Sequence, residues 1–185
     1  MRDIEEAYGA GLRDFAENYA QELVEKSAQL LHLPIRWHFI GALQSNKIAG
    51  LLEKCPGLAA IHSVDSVKKL DMIAKKAEQL QRHVDVYLQV NVSLEASKSG
   101  FRMNAIDELS KAIACDSPFV KIRGLMCIGE EGHAQRDFTR LAQVREALKL
   151  DDLLLNMGMS DDFSEAIAAG SSVLRIGSSI FGKRA

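Results

Sequence analysis

Strand-like and helix-like runs alternate seven times along this chain, with short connections between them. No Asn-Gly turn joins two apolar runs, so no hairpin interrupts the order. Val84, Val86, Leu88, Val90 and Val92 alternate cleanly with Asp85, Tyr87, Gln89 and Asn91, as in a strand with one apolar and one polar face. These three observations predict an α/β fold built from right-handed βαβ units around a parallel sheet. Seven units exceed what most open, doubly wound sheets use. They approach the eight of a TIM (β/α)8-type barrel, which is the expected architecture, here with seven strands.

The elements follow in order. Arg2 to Ala10 reads as a short helix stopped at Gly11, and Leu12 to Phe15 as a strand. Asn18 is placed to cap the next helix, which carries Leu23, Val24, Ala28 and Leu31 and ends before Pro34. Arg36 to Ile40 is a strand with Trp37 and Phe39 on one face and His38 on the other; Gly41 ends it, and Gln44 to Glu53 is helical. After the Pro56-Gly57 turn, Ala59 to Val64 is a strand holding His62. Val67, Leu70, Ile73, Ala74, Ala77 and Leu80 form a helical stripe opposite lysines and Glu78. The Val84 strand, a polar loop from Ser93 to Gly100 and a helix near Asn104 to Ala114 come next. Lys121 to Cys127 is a strand, Gly129 to His133 a loop with Glu130 and Glu131 solvated, and Gln135 to Leu148 a helix. Leu153 to Met157 is a strand, Gly158-Met159-Ser160 a turn, and Asp161 to Ala169 a helix closed by Gly170. The last strand begins at Val173 and breaks at Gly177.

That last strand carries an arginine, Arg175, inside an apolar run, which is costly unless an anion or acceptor meets it. Gly177 with Ser178 and Ser179 then offers bare backbone N–H groups where a short helix can start, a seat suited to phosphate. One Gly-Ser turn alone reads more readily as a helix cap. In barrels, however, phosphate sites commonly lie in the loops after the last two strands, and Gly158-Met159-Ser160 is the other of that pair. By strand alternation Asn18, His38, His62, Asn156 and Arg175 are expected to point into the lumen.

Composition narrows the function. The chain has 185 residues, enough for one domain with a real core, and residues 1–185 are expected to form one. A net charge of −2 argues against nucleic acid or an anionic membrane as partner. No apolar run reaches membrane-spanning length, and the first residues lack a signal-peptide pattern, so a cytoplasmic location is expected. Cys55, Cys115 and Cys127 are odd in number and far apart, as expected of free thiols, and Cys127 reads as a buried, inert one. His38 and His62 lack any acidic ligand pattern, so no metal site is expected. Each reads first as a hydrogen-bonded lumen histidine. Met157 and Met159 read as packing residues.

A set of motifs then carries a resemblance: Phe15-Ala16-Glu17-Asn18-Tyr19, Trp37-His38-Phe39-Ile40-Gly41, Leu43-Gln44-Ser45-Asn46-Lys47, His62-Ser63-Val64-Asp65, Gln89-Val90-Asn91-Val92-Ser93, Ser97-Lys98-Ser99-Gly100-Phe101, Gly124-Leu125-Met126, Met157-Gly158-Met159-Ser160-Asp161 and Arg175-Ile176-Gly177-Ser178. In this order they closely resemble the pyridoxal phosphate (PLP) homeostasis protein family, whose fold is the alanine racemase N-terminal barrel. The resemblance implies a cytosolic, monomeric PLP-binding protein without an established reaction, which buffers the cofactor or delivers it to PLP-dependent apoenzymes. It places the phosphate at Ser160 and the Gly177-Ser178 turn, Arg175 against the pyridine nitrogen and Asn18 near the ring; His38 and Met159 complete the expected cofactor contacts. The alternatives are a PLP-dependent racemase or decarboxylase, and a truncated relic that binds nothing.

Two departures from the family pattern stand out. The family's first strand, with its Schiff-base lysine, has no match here, since Met1 aligns inside the helix that follows it; this accounts for seven strands and leaves exposed strand edges that favour association. PLP is therefore expected to be held without a covalent bond. Lys47 and Lys98, both in loops after strands, are the possible substitutes but read as solvated side chains. Ala16 stands where the family has glycine, and a positive φ there would strain it by about 1 kcal/mol.

Overall fold

A computed structural model describes residues 1–93, 98–114 and 117–182. Its strands are β1 (Asp14–Glu17), β2 (Arg36–Phe39), β3 (Leu58–Val64), β4 (Val84–Asn91), β5 (Phe101–Arg102), β6 (Val120–Met126), β7 (Leu154–Met159) and β8 (Val173–Arg175). The helices are α1 (Arg2–Gly9), α2 (Ala20–Gln29), α3 (Ile48–Lys54), α4 (Val67–Gln79), α5 (Ile106–Ile113), α6 (Ala134–Leu148), α7 (Phe163–Ala168) and α8 (Ser178–Phe181). The sheet order is β1-β2-β3-β4-β6-β7-β8, with β5 attached to β4. Strands adjacent in that path are also consecutive in the chain, apart from the two-residue β5. A doubly wound sheet reverses its order at a switch point and this one does not.

The seven expected strands are present, and β5 adds a pair, Val90↔Phe101 and Asn91↔Arg102, too short to leave a periodic pattern. The first strand lies two residues later than expected. Leu12 still donates its N–H to Ala7 O, and the Arg13 guanidinium lies 4.0 Å over the Tyr8 ring while donating to Tyr8 O, so both residues are tied to the turn that follows α1. Asn18 does not cap α2. Tyr19 occupies that position in extended backbone, and no side chain caps the helix. The expected helix from Gln44 divides into a 3-10 turn, Ser45–Lys47, and α3. Leu31, expected on the apolar stripe of α2, lies beyond its end and is exposed. Ala16 has no positive φ, so it carries no strain.

The chain forms two compact units. The first holds Met1–Val64, Lys68–Val86 and the short segment ending at Lys121. Its core is Leu23, Trp37, Phe39, Leu51, Leu52, Ile61, Leu70 and Ile73, all at most 2% exposed. Trp37 and Phe39 alternate with His38 as expected. Burying each large apolar side chain stabilises the unit by roughly 1.5–3 kcal/mol. Arg82, just after α4, donates to the carbonyls of Leu52, Cys55, Pro56 and Leu58, and so pins the α3–β3 turn. At the end of β2, a β-carbon on Gly41 would lie 1.7 Å from Asn18 O, so glycine is required for β1 and β2 to end side by side.

The second unit holds Asp65–Val67, the chain from Tyr87 to α5, and residues from Ile122 onward. Leu88, Leu109, Leu125, Phe138, Leu141 and Leu155 fill its core. Asp137 on α6 is completely buried, yet its carboxylate accepts from Arg136, Arg140 and the Glu130 backbone N–H. Arg140 also donates to Val92 O, tying α6 to the end of β4. Glu130 also accepts from Arg136 while its side chain stays open to solvent, and Glu131 is exposed. The loop from Ser93 to Gly100 lies partly outside the described residues; its described end is held by Gln89 donating to Ser99 O and Asn91 donating to Lys98 O. Cys55 and Cys127 are free and buried, and burial pushes the Cys127 thiol up to about 12. Cys115 lies outside the described residues.

Candidate functional site

The polar residues expected in the lumen gather in two clusters, one within each unit. In the second unit, β7 and β8 carry Arg175, Ser160 and the turn at Gly177. Arg175 Nη1 donates to Asn156 O at 3.0 Å and to Asn156 Oδ1, while Nη2 donates to Cys127 O at 2.8 Å. These acceptors are all neutral, and among the described residues no carboxylate forms an ion pair with Arg175. Burial lowers its pKa, but a guanidinium stays charged at neutral pH. The arginine that looked costly in the sequence is therefore satisfied by amide oxygens, which among the described residues take three of its five N–H groups.

Ser160 follows β7, and its Oγ accepts from Gly177 N–H and Ser179 N–H, both at 3.3 Å. The two Gly-Ser turns singled out in the sequence therefore meet through one hydroxyl. Ser178 opens α8 and is exposed. Gly177 has φ −122°, which any residue adopts, and the space where its β-carbon would stand is open. Gly158 differs: φ is +97°, and a β-carbon would lie 2.5 Å from Ala166 Cβ. Met159 donates its N–H to Asp162 Oδ1 at 2.6 Å and is 40% exposed, so it is not the packing residue expected; Met157 is, fully buried.

The register between β7 and β8 slips between Asn156 and Met159, so that Met159 pairs with Arg175. Ser171 sits at the slip. Its hydroxyl lies 3.2, 2.7 and 3.0 Å from the carbonyl oxygens of Leu155, Met157 and Val173.

In the first unit, His38 on β2 and His62 on β3 do come together, His38 Nδ1 to His62 Nε2 at 2.8 Å. His38 Nε2 lies 3.0 Å from Asp14 Oδ1 on β1, and Arg36 donates to the other oxygen of the same carboxylate. Asn18 lies at the end of β1 with its backbone against Gly41. Lys47 is exposed, in the turn before α3. No group of three metal-ligating side chains occurs among the described residues.

Sequence reasoning missed Asp14, Asp162 and Ser171. Asp14 is spaced two residues from Ala16, whose register partner is His38, and that period-2 signal was available. Nothing local marks Ser171, because its role depends on a slip between two strands.

Comparison with known proteins places the chain in a family. Residues 2–185 match the family described as alanine racemase, N-terminal domain. The pyridoxal phosphate homeostasis protein of Pseudomonas aeruginosa is 43% identical over 185 residues, covering 98% of this chain and 79% of that protein. The human protein of the same name is 40% identical over 196 residues, with 97% and 71% covered. Among solved structures, PipY of Synechococcus elongatus PCC7942 with PLP bound matches at a TM-score of 0.84 and 34% identity, covering 98% of this chain and 87% of that one. An alanine racemase of Clostridium difficile 630, 10% identical with a TM-score of 0.77 and 47% of its chain covered, shares the fold. With its parallel α/β order and these matches, the chain has the alanine racemase-like barrel fold and belongs to the pyridoxal phosphate homeostasis protein family.

Proposed function

We propose that this protein binds pyridoxal 5'-phosphate and acts in intracellular PLP homeostasis, buffering the cofactor or delivering it to PLP-dependent apoenzymes rather than catalysing a reaction. The observation that carries this reading is the meeting of the two turns at Ser160. Its hydroxyl gathers the Gly177 and Ser179 amides at 3.3 Å, bonds long enough for phosphate oxygens to replace. The donor set suits a dianion: two exposed backbone N–H groups and the hydroxyls of Ser160 and Ser178, with open space over Gly177.

Arg175 supports the second half of the reading. A guanidinium donating to a pyridine nitrogen disfavours protonation there. PLP when bound supplies an electron sink for carbanion chemistry, and an unprotonated ring nitrogen makes that sink weak. The Asn156 and Cys127 carbonyls hold the arginine in place for that role without neutralising it. Asn18, His38 and Met159 are proposed as further residues of the cofactor's surroundings, on the strength of the family likeness.

The test is spectroscopic titration with PLP. Wild-type protein is expected to bind saturably, and Ser160→Ala with Ser178→Ala to lose about 2–4 kcal/mol of affinity, since each hydrogen bond to a charged group is worth roughly 1.5–3 kcal/mol. Unchanged affinity in the double variant sinks the phosphate seat. Arg175→Ala is expected to alter the cofactor spectrum more than its affinity; the reverse puts the arginine at the phosphate. Borohydride reduction followed by peptide mapping is expected to label neither Lys47 nor Lys98.

A further inference from the structure

Ser160 stands inside the turn that leaves β7, and Asp162 closes that turn twice. Its backbone N–H donates to Met159 O at 3.3 Å, and its Oδ1 accepts from Met159 N–H at 2.6 Å. Ser160 and Asp161 are the two residues enclosed. Just upstream, Gly158 meets Ala166 and Leu174 so closely that a β-carbon there would lie 2.5 and 2.9 Å from them. The stretch is therefore held at both ends. Between them the Ser160 hydroxyl is aimed at the Gly177 and Ser179 amides.

The use made of Asp162 is unusual for its position. It is the N-cap residue of α7, where an aspartate ordinarily accepts from the free N–H groups of its own first turn. Its side chain makes no such cap bond. The carboxylate reaches back to Met159 instead, and the six-residue helix goes without its cap. A carboxylate is also a poor neighbour for a phosphate, because the two anions repel, and the charge of Asp162 is felt as far as Arg175. A lost cap and an anion beside the seat both act against this arrangement. What it secures is the geometry of the one turn that carries Ser160.

We propose that Asp162 is a positioning residue for the phosphate group, acting through Ser160 by fixing the turn that aims its hydroxyl. This rests on the phosphate seat proposed above. The acceptor and the charge of Asp162 then pull affinity in opposite directions, and substitution separates them. Asp162→Asn keeps an oxygen for Met159 N–H and removes the charge. Asp162→Ala removes both.

The test is calorimetric titration of the full chain with pyridoxine 5'-phosphate, which has no aldehyde and so forms no imine with lysines. Asp162→Ala is expected to weaken binding about 10-fold, as loss of a well-aimed hydrogen bond to a charged group does. Asp162→Asn is expected to bind at least as tightly as the wild type, and up to about 5-fold tighter. In a Ser160→Ala background, Asp162→Ala is expected to cost less than about 2-fold more, because residues that act through one another do not add. Wild-type affinity in Asp162→Ala, binding by Asp162→Asn weaker than the wild type, or full additivity with Ser160→Ala overturns the proposal. Weak binding by Ser160→Ala beside unchanged binding by Asp162→Ala leaves the seat standing and removes only the role of Asp162. Unchanged binding by Ser160→Ala removes the seat, and the role of Asp162 with it. Amide exchange of the unsubstituted chain decides the clamp even if Asp162→Ala does not fold. Met159 N–H is expected to exchange slowly with and without ligand, and fast exchange overturns the proposal.

Discussion

Gly41 shows how one missing methyl group fixes the ends of two strands. The sequence marks it as the stop of β2, but its reason is tertiary: Asn18 O occupies the place a β-carbon would take, at 1.7 Å. The clash is with backbone, so it cannot be relieved by turning a side chain. Gly41→Ala is expected to destabilise the protein by at least about 2–3 kcal/mol, the upper range for overpacking, read as a lower urea midpoint. An unchanged midpoint would mean that the two strand ends can part freely. At the same scale, His38 and Asp14 make stability fall in acid. Burial lowers the His38 pKa against the opposing pull of Asp14. Burial raises the Asp14 carboxyl, but hydrogen bonds from Arg36 and His38 outweigh it and hold it below the ordinary value. In both cases the unfolded chain binds the proton more readily. Stability is therefore full above the unfolded histidine value of about 6.5, declines as pH falls through the folded His38 pKa, and declines again below about 3.9 as Asp14 protonates. His38→Gln is expected to flatten the first decline in urea midpoints between about pH 7 and 5, and to leave the second in place.

Elements with a long apolar period were the ones legible in advance. The α4 stripe buries Leu70, Ile73 and Ala77 as its spacing requires, and β4 buries Val84, Val86, Leu88 and Val90. Their burial repeats, so the pattern carries the information. Ends and slips do not repeat, which is why the cap of α2, the start of β1 and the two-residue β5 escaped. The site shares this division. Ser160, Arg175 and Gly177 stood out because an arginine in a strand and paired Gly-Ser turns are chemically unusual. Ser171 did not, although its hydroxyl lies between carbonyls of β7 and β8. Its one hydroxyl proton faces three carbonyl oxygens, and next to it Ser172 N–H reaches Leu155 O at 2.9 Å. Without that proton, carbonyls at the register slip lose a donor in a half-buried place. Ser171→Ala is expected to cost about 1–2 kcal/mol and to raise amide exchange in β8 well before global unfolding. Because Met159 pairs with Arg175 beyond the slip, PLP affinity should fall with it. Full protection of the β8 amides in the variant would show that the ladder alone sets the register.

At the scale of the whole chain, the two compact units invite the question of whether they fold separately. The boundary cuts through elements rather than loops. Val84–Val86 of β4 belong to the first unit and Tyr87–Asn91 to the second, while β6 is divided after Lys121. A domain border normally falls in an exposed linker, and a strand cannot keep half of its ladder while the other half melts without losing its neighbours' hydrogen bonds. Residues 1–185 are therefore proposed to be one domain with one cooperative transition. The chain carries its own reporters: Cys55 lies in the first unit and Cys127 in the second, both buried. Burial also raises both thiols' pKa, so neither offers thiolate near neutral pH. In a Cys115→Ser variant near pH 8, the folded protein is expected to be silent to a thiol reagent. In urea both cysteines are expected to react at one midpoint, which coincides with loss of helical circular dichroism. A first thiol released at lower urea than the second would show two domains instead, and peptide mapping of the modified cysteine would say which unit opens first.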